Sequence, residues 1–160
     1  MKVRSHIFGY LLGLAIFVIG IPALMLLVSE RGWPYVPSSA FQLIVSILLA
    51  ISGLSLSIWS IVHMRRVGEG NPFDAYNHEV APRTKHLMTD GPYRWSRNPM
   101  LVGVYVYDLG WLLFLWSIWP VAIFLGEVFL LTLQVRSEEK RLEADFGDEY
   151  LQYKARTRRY

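Results

Sequence analysis

FQLIVSILLAISGLSLSIWSIV, residues Phe41 to Val62, is a run of 22 residues without a charge. At a rise of about 1.5 Å per residue, a helix of this length crosses a hydrocarbon core of about 30 Å. A second uncharged run of 22 residues covers Ile7 to Val28. Of the 160 residues, 53% are hydrophobic and only 18% are charged, which is typical of a membrane protein. We therefore predict spanning helices at 7–28 and 41–62.

The next apolar run, from Met100 to Val135, is too long for one crossing. A single helix of that length would reach about 54 Å. We predict a helical hairpin with spans at 100–116 and 120–135, because Pro120 cannot continue the hydrogen-bond ladder of a helix. The run contains two charged residues, Asp108 and Glu127. An acid inside a membrane is either functional or paired with a neighbouring helix, and the sequence leaves both alternatives open.

Lysine and arginine are distributed unevenly around these spans. Two precede the first span, one lies in residues 29–40, six lie between His63 and Pro99, and seven follow Val135. The positive-inside rule therefore places the N- and C-termini in the cytoplasm. We interpret the first span as a retained anchor helix rather than a cleaved signal peptide, because it is longer than a typical signal core and no Ala-x-Ala site follows it.

The predicted fold is an all-α integral membrane protein with four transmembrane helices, forming a single membrane domain over residues 1–160. The formal net charge of +3 lies mostly on one face, which suits anionic lipid headgroups and gives no reason to expect nucleic acid. The chain has no cysteine, which excludes disulfides and thiolate chemistry. Its four histidines lack metal-ligand spacing, so we expect no metal.

The cytoplasmic loop before the third span ends in TDGPYRWSRNPM, residues Thr89 to Met100. Asp90 to Pro92 predicts a turn, and Pro99 suits the first turn of a helix. Arg94 and Arg97 then stand near a helix N-terminus, which favours an anion. Taken alone, the two arginines also fit a positive-inside cluster that binds no ligand.

Beyond the fourth span, Arg136 to Phe146 predicts a continued amphipathic helix that ends at Gly147. Asp148 is predicted to cap a short last helix. Glu138 and Glu139 lie in the first cytoplasmic turns of the continued helix, where they could hold a ligand or simply form pairs with a neighbouring arginine.

The segment 82–153 resembles the isoprenylcysteine carboxyl methyltransferase and phospholipid N-methyltransferase superfamily. Its pattern is Gly-x-Tyr-x-x-x-Arg-His-Pro-x-Tyr-x-Gly, followed by Glu-Glu and Phe-Gly-x-x-Tyr. Here the pattern is carried by Gly91-Pro92-Tyr93, Arg97-Asn98-Pro99-Met100, Glu138-Glu139 and Phe146-Gly147-Asp148-Glu149-Tyr150. The resemblance implies a catalytic core over 82–153, in which the cytoplasmic loop and the C-terminal amphipathic helix together form the cofactor site, and S-adenosylmethionine as the cofactor.

Carried over by position, the resemblance implies a cofactor-binding set. The set is Lys85, His86, Leu87, Met88, Tyr93, Asn98, Pro99, Met100, Leu101 and Glu138. Asn98 departs from the commonest His but keeps a hydrogen-bonding head, and Leu101 stands where Tyr is common. Gln134 stands where prenylcysteine enzymes carry an arginine, so the resemblance does not extend to a prenylcysteine acceptor.

These residue types suit the cofactor. Glu138 can hold ribose hydroxyls or an ammonium group, and Arg97 or the N-terminus of the third helix can hold a carboxylate. The ring face of Tyr93 suits a sulfonium. A general base is needed only for a protonated acceptor, and Glu139 or His86 could serve. The candidate catalytic residues are therefore Arg97, Glu139 and His86.

We predict a membrane methyltransferase that depends on S-adenosylmethionine and acts on a lipid-like or membrane-partitioning small molecule through a carboxylate, amine or thiol. The expected location is a bacterial inner membrane. One alternative is a membrane reductase of the sterol-reductase type, which would use a nicotinamide cofactor. The other is a non-enzymatic membrane protein, which would bind neither cofactor.

Overall fold

The computed structural model describes residues 11–32, 34–68 and 86–160. Within these ranges all the regular secondary structure is helical, and Ser96 and Arg158 form an isolated β-bridge. The described helices are α1 (Leu11–Val28), α2 (Ala40–Gly68), α3 (Pro99–Leu115), α4 (Trp119–Phe146) and α5 (Asp148–Arg156), and a 3-10 turn spans Gly91–Arg94. The predicted all-α class is confirmed for the described part of the chain.

Helices α1, α2 and α4 are long and apolar enough to cross a membrane. Helix α3 is also apolar but has 17 residues. The predicted start of the first span, at Ile7, lies outside the described residues. The chain is a multi-pass membrane protein, as its hydrophobic runs predict.

Helices α3 and α4 are separated by the turn that the hairpin prediction placed there. Trp116 follows α3 with φ +45°, and its N–H donates to the carbonyl of Leu112 at 3.0 Å. Helix α4 begins at Trp119 with Pro120 in its first turn, where the missing N–H costs no helical bond. As predicted, α4 then continues without a break into the amphipathic segment that ends at Phe146.

Gly147 separates α4 from α5. Its φ of +52° favours glycine, and its carbonyl accepts the N–H of Leu151 at 3.2 Å. Gly147 therefore ends one helix and caps the next. The prediction that Asp148 is the cap is wrong, because Asp148 lies in the first turn of α5, where its charge still favours the helix dipole.

Helices α2 and α3 form the most extensive helix contact among the described elements, and small residues make it. A side chain on Gly53 would overlap the backbone of Gly103 and Tyr107, and one on Gly103 would overlap Ser57. The Ser57 hydroxyl donates to the carbonyl of Met100 at 2.9 Å. This close backbone approach, typical of membrane helices, fixes where α3 begins and hence where the site residues before it lie.

Asp108 lies on α3 and Glu127 on α4, so the two acids of the predicted hairpin are on separate helices. Both residues are buried, and among the described residues none of their four oxygens has a hydrogen-bond partner of normal geometry. Neither residue lines the cavity at the end of the bundle. Of the two alternatives that the sequence left open, this position away from the cavity favours a structural role between the helices.

Candidate active site

A cavity of about 240 Å³ lies where α1, α3, α4, α5 and the 3-10 turn meet. Its apolar lining includes Leu12, Ile16, Phe17, Leu101, Leu131 and Val135. Its polar lining includes Tyr93, Arg97, Asn98, Gln134, Glu138, Glu139, Tyr150 and Tyr153. The cavity therefore suits a ligand that has both charged and apolar parts.

The apolar lining is part of the bundle core. Leu101, Leu131 and Val135 form a buried cluster, and Phe17 and Tyr105 pack against it. Because this cluster joins three helices, it gives the cavity a wall made from packed helices rather than from loops. Such a wall holds the polar groups beside it in fixed positions.

Arg97 and Glu139 form a buried ion pair beside the cavity. Arg97 Nη2 lies 3.1 Å from Glu139 Oε1, and the two side chains are 9% and 8% exposed. Arg97 Nη1 donates to the Tyr150 hydroxyl at 3.4 Å. Burial, then the nearby Glu139 carboxylate, raises the pKa of Tyr150 to about 12, so its hydroxyl stays neutral. The arginine is thus held by an acid on α4 and a hydroxyl on α5.

Tyr93 and Pro92 are the buried residues of the 3-10 turn, and Tyr93 lines the cavity. Its backbone carbonyl accepts a hydrogen bond from the Tyr153 hydroxyl at 2.7 Å. Its own hydroxyl is buried and has no hydrogen-bond partner among the described residues. Burial, then the negative charge of Glu138, raises the pKa of Tyr93, so this hydroxyl remains a donor at neutral pH. A ligand with an acceptor atom in the cavity would satisfy it.

His63 near the C-terminal end of α2 shapes the turn that carries Tyr93. Its Nε2 lies 2.8 Å from Asp90 Oδ1, and its ring centroid lies 6.0 Å from that of Tyr93. Gly91 has φ +54°, and the position of an added Cβ is 2.6 Å from the His63 ring. The turn predicted from Asp90 to Pro92 therefore depends on glycine for its backbone angle and for the close approach of His63.

We expect Gly91→Ala to destabilise the protein by about 1–2 kcal/mol, because alanine disfavours the left-handed region and its methyl group would displace His63. That loss corresponds to a melting temperature lower by about 2–8 °C in detergent. Gly32→Ala is the control, since nothing lies within 4 Å of a Cβ at that position. An unchanged melting temperature for Gly91→Ala would contradict this description of the turn.

The structure brings most of the predicted site residues to the cavity. Those that line it are Leu87, Met88, Tyr93, Arg97, Asn98, Met100, Leu101, Glu138 and Glu139. Pro99 is buried as the first residue of α3 but does not line the cavity, and His86 is exposed and also lies off it. Lys85 lies outside the described residues. Glu138 lines the cavity, and its Oε1 also lies 3.9 Å from Arg141 Nη2. This is the pair with a neighbouring arginine that the sequence offered as the alternative to holding a ligand.

Sequence reasoning missed several residues around the cavity, and two groups among them matter most for the site. The first is the face of α1 that contributes Leu12, Ile16 and Phe17. A uniformly apolar span gives no periodicity from which that face could be found. The second is Arg159, which binds Glu139 and which the sequence shows only as one of several basic residues near the end.

These observations define a multi-pass helical membrane protein with a cavity that is lined by both charged and apolar side chains. A family model for phospholipid methyltransferase matches residues 41–149, and the chain belongs to this family. The matched range contains α2, α3, α4 and the motif that contributes Tyr93 and Arg97. The superfamily predicted from the motif is therefore confirmed.

Two curated relatives are protein-S-isoprenylcysteine O-methyltransferases. The chain is 29% identical to that of Rattus norvegicus over 133 residues, which cover 78% of this chain and 42% of the relative. It is 34% identical to that of Mus musculus over 90 residues, which cover 51% of this chain and 30% of the relative. The chain thus spans less than half the length of these relatives. No solved structure matches it.

Proposed function

We propose that this protein is a membrane methyltransferase that uses S-adenosylmethionine and methylates a lipid-like or membrane-partitioning small molecule. The observation that carries the proposal is the cavity, whose lining combines Glu138, Arg97 and Tyr93 with apolar residues of α1. Membership of the phospholipid methyltransferase family supports methyl transfer. The names of the curated relatives, which refer to a lipidated cysteine, support an acceptor with an apolar part.

The polar lining fits this cofactor. S-adenosylmethionine, when bound, would supply a methyl group activated by its sulfonium. Glu138 is suited to accept hydrogen bonds from the ribose hydroxyls or the ammonium group, and Arg97 to donate to the carboxylate. The Tyr93 hydroxyl and Arg97 Nε are buried without partners among the described residues. Each such group costs about 1–3 kcal/mol, which a ligand acceptor would offset.

The protein contributes mainly by positioning two reactants, because methyl transfer needs an in-line approach more than proton transfer. The ring of Tyr93 is suited to approach a cation. Of the two candidates for a general base, His86 lies off the cavity, and Glu139 contacts two guanidinium groups. We therefore assign Glu139 to holding Arg97, and we assign no general base.

We also propose the four-span topology, with both ends in the cytoplasm and a single membrane domain. Helix α3 has 17 residues, or about 26 Å, which is close to the thickness of a thin bilayer. The turn at residues 116–118 contains no lysine or arginine, whereas both segments that flank the cavity are basic. The positive-inside rule then puts the cavity, and the catalytic core over 82–153, at the cytoplasmic side.

Isothermal titration of the detergent-purified protein with S-adenosylhomocysteine tests the proposal. We expect micromolar binding by the wild type and at least tenfold weaker binding by Glu138→Ala. Glu149→Ala is the matched control, because it removes the same charge from an exposed position that does not line the cavity. A nicotinamide dinucleotide is the control ligand.

Binding of the dinucleotide instead of S-adenosylhomocysteine would favour the reductase alternative. Binding of neither ligand would favour the non-enzymatic alternative. If the wild type and Glu138→Ala bind S-adenosylhomocysteine equally well, the cofactor assignment stands, but Glu138 is not part of the binding site. An equal loss in Glu149→Ala would mean that the acidic charge acts from a distance rather than by contact.

A further inference from the structure

The segment 157–160 runs back along the loop that leads into α3. The Arg97 N–H donates to the carbonyl of Arg158 at 2.8 Å. The Ser96 hydroxyl and the Asn98 amide both donate to the carbonyl of Arg159, at 2.9 Å and 3.2 Å. These bonds use the backbone of segment 157–160, so they fix its path without regard to its side chains.

That path brings the Arg159 side chain to Glu139. Arg159 Nε donates to Oε1 at 3.0 Å, and Nη2 donates to Oε2 at 2.7 Å. This is the parallel two-bond geometry that guanidinium and carboxylate groups prefer. Arg159 therefore binds both carboxylate oxygens of Glu139, and the contact with Arg97 comes in addition to these two bonds.

The bonds between Arg159 and Glu139 limit how Glu139 can bind Arg97. Arg97 reaches Glu139 through Nη2 alone, at 3.1 Å from Oε1. Its Nε is buried and has no partner among the described residues. If Arg159 were absent, Glu139 could turn both oxygens toward Arg97 and engage Nε as well as Nη2. The donor that a ligand carboxylate needs would then be occupied inside the protein.

We propose that Arg159 is a positioning residue, which holds Glu139 so that Arg97 keeps a free donor for an anionic group of the ligand. The inference rests on the proposed function, because it takes S-adenosylhomocysteine as the ligand with that anionic group. It assigns a role to a residue outside both parts of the sequence motif. No residue of segment 157–160 lines the cavity, so Arg159 acts through Glu139, which does.

The first test compares the affinity for S-adenosylhomocysteine of the full-length wild type, Arg159→Ala and Arg158→Ala. Arg158 is exposed and contributes its backbone carbonyl to the loop, so Arg158→Ala removes the same charge and keeps that bond. We expect at least a tenfold loss for Arg159→Ala and less than a twofold loss for Arg158→Ala. Arg159→Lys should recover part of the loss, because lysine keeps the charge but makes one bond instead of two. An affinity of Arg159→Ala equal to that of the wild type would overturn the proposal.

The second test measures Arg159→Ala again in a Glu139→Gln background. If Arg159 acts through Glu139, its substitution should change affinity less than twofold there, because interacting residues are not additive. The same tenfold loss in both backgrounds would mean that Arg159 only supports the fold, and would overturn the proposal.

The wild type, Arg159→Ala, Glu139→Gln and the double variant should also show the coupling between Arg159 and Glu139 in thermal unfolding without any ligand. Arg159→Ala should lower the melting temperature in the wild-type background and change it little in the Glu139→Gln background. Coupling in this experiment, together with no binding of S-adenosylhomocysteine by the wild type, would reject the proposed function and leave the Arg159–Glu139 interaction intact. Additive melting temperatures would reject the interaction itself.

Discussion

Arg97→Gln is expected to weaken binding of S-adenosylhomocysteine about 10- to 100-fold. Arg97 lines the cavity, and its Nε has no partner among the described residues. Glutamine can still donate a hydrogen bond, but it loses the charge that a carboxylate favours. Hydrogen bonds to charged groups contribute about 1.5–3 kcal/mol, and each 1.4 kcal/mol is a factor of ten in affinity. Isothermal titration of the two proteins in the same detergent measures the difference.

Arg94→Gln is the matched control for this substitution. Arg94 is three residues earlier in the same basic cluster, but it is exposed and does not line the cavity. We expect its affinity to stay within twofold of the wild type. Equal losses in the two variants would mean that the arginines act as a positive-inside cluster and not as a ligand site. The pair of variants therefore decides between the two interpretations that the sequence left open.

Gly103→Ala is expected to destabilise the protein by about 2–3 kcal/mol, which lowers the melting temperature by about 4–12 °C. The added methyl group would overlap Ser57 and the carbonyl of Gly53. Backbone atoms cannot move aside as a flexible side chain can, so α2 and α3 would have to separate. Since the Ser57 hydroxyl bonds to Met100 at the start of α3, the affinity for S-adenosylhomocysteine should fall as well.

Gly126→Ala separates this steric effect from the effect of glycine on helix propensity. Both glycines lie inside α-helices, but nothing lies within 4 Å of a Cβ at Gly126. Alanine favours a helix over glycine by about 1 kcal/mol, so Gly126→Ala should leave stability unchanged or raise it slightly. Comparable losses at both positions would contradict the close packing of α2 against α3.

The helices could be predicted from the sequence because membrane spans are encoded locally. The uncharged run from Phe41 to Val62 lies inside α2, and Pro99 is the first residue of α3. Pro120 lies in the first turn of α4, so the new helix begins close to the predicted turn. Each of these depends on residues that are neighbours in the chain, such as a long apolar run or a proline that cannot donate a hydrogen bond.

Part of the cavity could also be predicted, because the motif residues Tyr93, Arg97 and Glu138 have recognisable chemistry and spacing. What the sequence could not show is how distant segments meet. Arg159 is 20 residues from Glu139, and its carbonyl bonds to Asn98, 61 residues away. No periodicity or local pattern encodes such contacts, because they depend on how α4, α5 and the loop before α3 pack together.

Asp148 shows the same limit on a smaller scale. An aspartate before a short amphipathic run predicts an N-cap, yet Gly147 takes that position because its positive φ reverses the chain there. The position of the break between the two helices was correctly predicted. The backbone angle of one glycine decided which residue serves as the cap.

Photolabelling tests the central claim, that S-adenosylmethionine binds in the cavity, most directly. The wild type in detergent would be irradiated with S-adenosylmethionine carrying a labelled methyl group, digested, and mapped by mass spectrometry. We predict that the label falls on residues 12–17, 64, 87–101, 131–142 or 150–153, which include the lining of the cavity, and that excess S-adenosylhomocysteine blocks it. Label confined to other segments, or label that S-adenosylhomocysteine does not displace, would contradict the account.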